Sequence, residues 1–136
     1  MKESFLIDVL KKGVSPFHCV EAAMQTLEES GFEELEYARP WNLKKGKAYM
    51  MNHHGTLYAF TVGENFRADA MLRMAAAHTD YPYLRIKPNA DFVTDRYAQV
   101  NVEVYGGPIL NTWFDRPLGI AGRVIVRSKD VFAPKT

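Results

Sequence analysis

The chain has 136 residues, 47% hydrophobic and 24% charged, with a net charge of +1, which is the size and balance of one globular domain. So small a net charge excludes a strong electrostatic pull toward nucleic acid or membrane. One cysteine, Cys19, excludes an internal disulfide and fits a reducing compartment, and no run approaches the roughly 18 apolar residues of a membrane span. The start, Met1-Lys2-Glu3-Ser4, lacks the apolar core and cleavage site of a signal peptide, so the expected setting is cytoplasmic.

In chain order, Phe5, Leu6, Val9 and Leu10 fall on one face of a short helix over residues 4–12, ended by Gly13. Ser15 caps a second helix with Pro16 in its first position. Phe17, Val20, Met24 and Leu27 follow at helical spacing, and Gly31 stops the run. Such a helix, about 22 Å long, suits packing on a sheet. Cys19 reads as a small apolar residue of this helix rather than a reactive thiol. His18 and Glu21 read as its solvated first turn rather than a metal pair. Residues 33–46 are polar, carry Pro40 and Trp41, and connect onward with room for one short strand. Residues 48–51 and 57–62 flank Asn52-His53-His54-Gly55 as the two arms of a hairpin. Neighbouring strand residues point to opposite faces, so His53 and His54 are poorly placed to share one ion.

The run Ala70-Met71-Leu72-Arg73-Met74-Ala75-Ala76-Ala77 is apolar with one interruption and is halted by Pro82. It predicts a buried strand whose C-terminal end delivers His78 and Asp80. In open α/β sheets that end of a strand is where sites are built. His is the commonest metal ligand, and a carboxylate beside it fixes the ring and raises its basicity. A period of two puts both side chains on one side. The bland alternative is a strand-end histidine satisfied by a loop carbonyl. Beyond Pro82, Leu84-Arg85-Ile86-Lys87 alternates as a strand, residues 89–96 read as a polar loop, and residues 100–105 alternate as a half-exposed strand broken by Gly106-Gly107-Pro108. Residues 109–114 are less regular, and Val124-Ile125-Val126 forms a last strand before a frayed tail over 128–136. Trp113 and Phe114 read as core, and Asp115 and Arg116 as an ion pair. Two helices followed by about six strands give an α/β or α+β fold with a mixed sheet and N-terminal helices.

The segment His78-Thr79-Asp80-x-Pro82-x-Leu84-Arg85-x-Lys87 resembles the metal-site segment of the aspartyl aminopeptidase family of zinc metallopeptidases. Ser15-Pro16-Phe17-His18 resembles the family's opening helix start, and Gly55-Thr56-Leu57-x-Ala59-Phe60-x-Val62-Gly63 its early hairpin. Tyr105-Gly106-Gly107, followed by Thr112-Trp113-Phe114-Asp115-Arg116-x-Leu118-Gly119-x-Ala121-Gly122-Arg123-Val124, resembles the junction into its second domain. The blocks run in family order over roughly residues 5–127. The resemblance implies an incomplete N-terminal part of a zinc-exopeptidase-like α/β catalytic domain over 1–127, with about 116–127 entering the junction and 128–136 as a tail.

It also implies an activity: two divalent metals, zinc by expectation, activate a water that attacks the scissile carbonyl of an N-terminal acidic residue. In that scheme His78 is a metal ligand, and Asp80 is the catalytic-site acid that orients it. The bridging aspartate, the Glu-Glu pair with the general base and the last histidine belong to later parts of the longer family chains, and no histidine follows Asp80 here. Asp91, Asp95, Glu103 and Asp115 read as surface charges. Four positions depart from the family pattern. Tyr81 stands for a usual serine, Tyr83 lies near a usual cysteine, Asn111 replaces a histidine and Pro108 a glycine; the two tyrosines would narrow the site. The expectation is therefore an N-terminal fragment of a peptidase, inactive alone, whose partners are peptide substrate in the complete enzyme and a second copy or complementing chain. The alternative is a truncated, non-enzymatic, partner-binding or self-associating module.

Overall fold

The computed structural model describes residues 3–127 and 132–135. They fall into two units, Met1–Thr79 with Ala121–Thr136, and Asp80–Ile120.

In the first unit the helices form where capping and periodicity place them. Helix α1 spans Glu3–Lys12 and α2 spans Pro16–Glu29. Buried Ser15 caps α2 by accepting the His18 N–H, which satisfies one of the orphan donors of the first turn. At the other end the Gly31 N–H donates to Glu28 O at 2.9 Å and the Phe32 N–H to Leu27 O at 3.0 Å. Gly31 sits at φ +87°, so the pair of bonds is a Schellman ending built on a glycine in the left-handed region.

Strands β1 (Glu33–Glu34), β2 (Ala48–His53) and β3 (Thr56–Thr61) make a mixed sheet, β1 parallel and β3 antiparallel to the central β2. The two-residue turn His54-Gly55 has both residues at positive φ, +53° and +94°, matching the strand twist. The Asn52 side chain accepts the Gly55 N–H at 2.9 Å. Helix α2 lies against β2 and β3. Three consecutive residues of β2, Tyr49, Met50 and Met51, are buried at 2%, 2% and 7% exposure, so both faces of this strand are covered. With Val20 and Ala22 of α2 they are the core of the unit. Strands β6 (Val124–Arg127) and β7 (Phe132–Lys135) pair antiparallel.

The second unit is dominated by one antiparallel hairpin, β4 (Tyr83–Thr94) and β5 (Tyr97–Tyr105). Its register slips between Ile86 and Asp91. Ile86 faces Val102 and Asp91 faces Val100, so residues 87–90 bulge opposite Asn101. Pro88 can donate no ladder bond there, and Asn89 takes φ +54°. A single turn of 3-10 helix, Leu110–Thr112, follows.

Helices, hairpin turn, mixed sheet and the strand at Val124 stand as the sequence predicts. Three expectations do not. Residues 70–77 form no strand, and Met71, Leu72 and Met74 are 96%, 86% and 85% exposed. A strand exists only through hydrogen-bonded neighbours, and among the described residues none pairs with this run. Residues 89–94, expected as loop, continue β4 because the partner strand supplies the ladder. Residues 132–135, expected in a frayed tail, form β7; residues 128–131 and 136 of that tail lie outside the described residues.

Candidate functional site

His78 lies in irregular chain rather than at a strand end, and its side chain is exposed. Asp80 is half-buried. The Tyr105 hydroxyl, from the last residue of β5, donates a hydrogen bond to Asp80 Oδ2. That bond to the carboxylate, and the carboxylate's charge, raise the Tyr105 phenol above its ordinary ionisation range. Tyr83 packs on Tyr105 with ring centroids 4.9 Å apart, and Tyr81 meets Tyr83 edge-on at 6.4 Å. Tyr83 is thus part of an aromatic stack at the base of the hairpin.

The remaining chemistry-bearing residues are dispersed. His18 Nδ1 lies 2.7 Å from the Ser15 hydroxyl at the start of α2. His53 stacks on Tyr37 at 4.1 Å, and His54 occupies the β2–β3 turn. The half-buried Cys19 thiol points to Gly13 O at 3.5 Å, and burial pushes it up from its ordinary range, away from the reactive thiolate. Asp91, Asp95 and Asp115 are exposed, and Glu103 stands 3.8 Å from Arg85 across the hairpin. Arg116 donates to Thr112 O at 3.4 Å rather than pairing with Asp115, and Phe114 is exposed rather than core, while the neighbouring Trp113 ring takes the half-buried place.

A catalytic zinc takes three protein ligands. Among the described residues no three His, Cys, Asp or Glu side chains gather closely enough to hold a metal ion. One histidine and one carboxylate therefore do not fit a complete metal centre, and no reaction step is routed through one here.

Two contacts escaped sequence reasoning. Tyr105 was visible as the strand-ending aromatic before Gly106-Gly107, but its partner lies 25 residues away. The Arg123 guanidinium lies over the Phe17 ring, 4.3 Å from its centroid, and pairs residues over a hundred positions apart with no local signal.

The family described as aminopeptidase I zinc metalloprotease (M18) matches residues 9–134. A probable M18 family aminopeptidase 2 of Clostridium acetobutylicum is 48% identical over 133 residues, 96% of this chain and 31% of the relative. An aspartyl aminopeptidase of Aspergillus oryzae is 41% identical over 119 residues, 85% of this chain and 24% of the relative. The chain therefore spans about a third or less of the length of these relatives. Among solved structures, a chain of the Ape4 and Nbr1 complex superposes with a TM-score of 0.89 at 32% identity, covering 94% of this chain and 25% of that one. The mApe1 dodecamer of S. cerevesiae gives 0.83 at 28% identity, covering 97% of this chain and 31% of that one.

Proposed function

The chain belongs to the aminopeptidase I zinc metalloprotease (M18) family, and from that we propose that it carries the His-x-Asp part of a metal-dependent aminopeptidase acting on N-terminal acidic residues of peptides. The single observation behind this is the continuous family match over residues 9–134, which contains His78-Thr79-Asp80 and the blocks around it in family order. In this reading residues 1–127 are part of the catalytic domain, with about 116–127 entering a junction. His78 supplies one metal-binding nitrogen, and Asp80 is the acid that orients the site. Zinc, one of two divalent ions in the complete centre, would supply Lewis acidity when bound.

These 136 residues by themselves are catalytically silent in the proposal. The donor arithmetic supports this: the described residues lack a three-ligand cluster. A positioned general base is worth about 10²–10⁴-fold in rate, and the family resemblance assigns that role to the Glu-Glu pair of the longer family chains. The test is hydrolysis of an aspartyl or glutamyl amide by the purified chain with zinc, manganese or cobalt. The expected rate is that of buffer. Metal-dependent turnover that disappears in His78→Ala would overturn the silent reading.

The second reading, a partner-binding or self-associating module, draws on one observation. Met71, Leu72 and Met74 stand almost fully exposed, and contiguous exposed apolar surface marks association. A homo-oligomer or a complementing chain is the proposed partner. The setting proposed is cytoplasmic, which the single free cysteine fits. No helix among the described residues is long and apolar enough to cross a membrane.

A further inference from the structure

The Tyr105-Gly106-Gly107 block at the end of β5 has no role in the reading above. The structure assigns it one: Tyr105 is a positioning residue that, with Gly106 beside it, seats Asp80 and Pro82 and fixes the direction of the Asp80 carboxylate. This rests on Asp80 being a site residue.

Three observations within Asp80–Ile120 carry the assignment. The Tyr105 phenol donates to Asp80 Oδ2, a charge-assisted bond that ties down one carboxylate oxygen. The Tyr105 ring cannot swing away freely, because Tyr83 packs on it at 4.9 Å from the first residue of β4. Gly106 takes φ +74°, and a Cβ there would stand 3.2 Å from Pro82 Cα and 3.3 Å from Pro82 Cγ. The backbone at 106 thus closes on Pro82 in a conformation that favours glycine, and a side chain there would press on the proline. Adjacent residues of one block therefore hold two members of the His78-Thr79-Asp80-Tyr81-Pro82 motif, one by a hydrogen bond and one by close backbone contact. Asp80 lies in irregular chain, with no ladder to hold its backbone, and the Tyr105 phenol anchors its side chain to the end of β5. A site residue works only when held to within about 0.5 Å and 10–20° of its productive geometry, and a phenol on a stacked ring is a rigid means of doing so.

The experiment reads Asp80 directly in the 136-residue chain by NMR, through its Hα–Hβ three-bond couplings and carboxyl carbon shift. Tyr105→Phe removes one oxygen and keeps the stack; Tyr83→Phe is the matched control, since it removes the same oxygen from the ring stacked on Tyr105 and leaves the Tyr105–Asp80 bond in place. Asp80 is expected in one rotamer in the unmodified chain and in Tyr83→Phe. In Tyr105→Phe its couplings change and its carboxyl carbon shifts, while the β4 and β5 amide shifts persist. Couplings unchanged in Tyr105→Phe with the hairpin intact would reduce Tyr105 to packing and overturn the assignment. Should Tyr105→Phe lose the hairpin, Asp80→Ala reads the bond from the other side. A shift of the Tyr105 Cζ carbon supports the assignment, and an unmoved one overturns it. None of these readouts involves metal or turnover, so a failure here leaves the peptidase reading to its own assay, and the converse holds too.

Discussion

The β2–β3 pair and the β4–β5 hairpin are both antiparallel ladders, yet they are stabilised differently. β2 has a hydrogen-bonded neighbour on each side and buries Tyr49, Met50 and Met51 in succession. The hairpin has two strands only, and Ala90 is its one buried residue, while Phe92, Val93, Tyr97 and Val100 are exposed. A two-stranded hairpin alone is marginal in water, whereas a third strand and a covering helix add a core. What differs is how much apolar surface each ladder removes from water, not how many ladder bonds it makes.

Substitutions can test that contrast. The largest effect is expected from Tyr49→Ala, which empties a fully buried site and leaves the Lys44 N–H, now 2.8 Å from the Tyr49 hydroxyl, without its acceptor. The expected loss is about 3–5 kcal/mol in denaturant unfolding followed on β2 and β3. Phe92→Ala on the hairpin should cost far less, about 1 kcal/mol or under, since Phe92 is already 46% exposed. Equal losses at the two positions would show that the hairpin hides a core.

Gly106→Ala should cost about 1–2 kcal/mol from the left-handed backbone alone, with Pro82 adding to it, read as faster amide exchange at the base of β4 and β5. Ser15→Ala should cost about 1 kcal/mol by removing the α2 cap, read as exchange of the first-turn amides. Replacing Met71 and Leu72 by serine should leave stability within about 0.5 kcal/mol while lowering light scattering and hydrophobic-dye binding. An unchanged scattering signal would remove the exposed run from the self-association reading.

The smallest effect is a pH dependence. The Tyr105 phenol ionises above its ordinary range because Asp80 accepts its proton in a hydrogen bond. A raised folded value means that the folded state holds this proton more tightly than the unfolded chain does. The contribution is therefore fully present below the unfolded value and is lost as pH rises through the folded one. Hairpin amide protection, taken relative to the intrinsic base-catalysed exchange rate, should fall on the alkaline side in the unmodified chain, and Tyr105→Phe should remove that fall.

Local chemistry determined much of this protein from sequence. Ser15-Pro16 and Gly31 bound α2 because caps act within one turn, and Asn52-His53-His54-Gly55 made a hairpin because positive φ at the turn is a property of those residues. The family blocks were legible for the same reason: they are contiguous strings, and the match over residues 9–134 accords with them. Tertiary structure decided whatever needs a distant partner. The run at 70–77 carries the composition of a buried strand, but composition supplies no neighbour, and the run stays irregular and exposed. The polar stretch at 89–94 reads as loop, yet β5 makes it strand by pairing. Asp80 meets Tyr105 across 25 residues, a contact that depends on where a bulged hairpin brings its two ends together, which no window of sequence encodes.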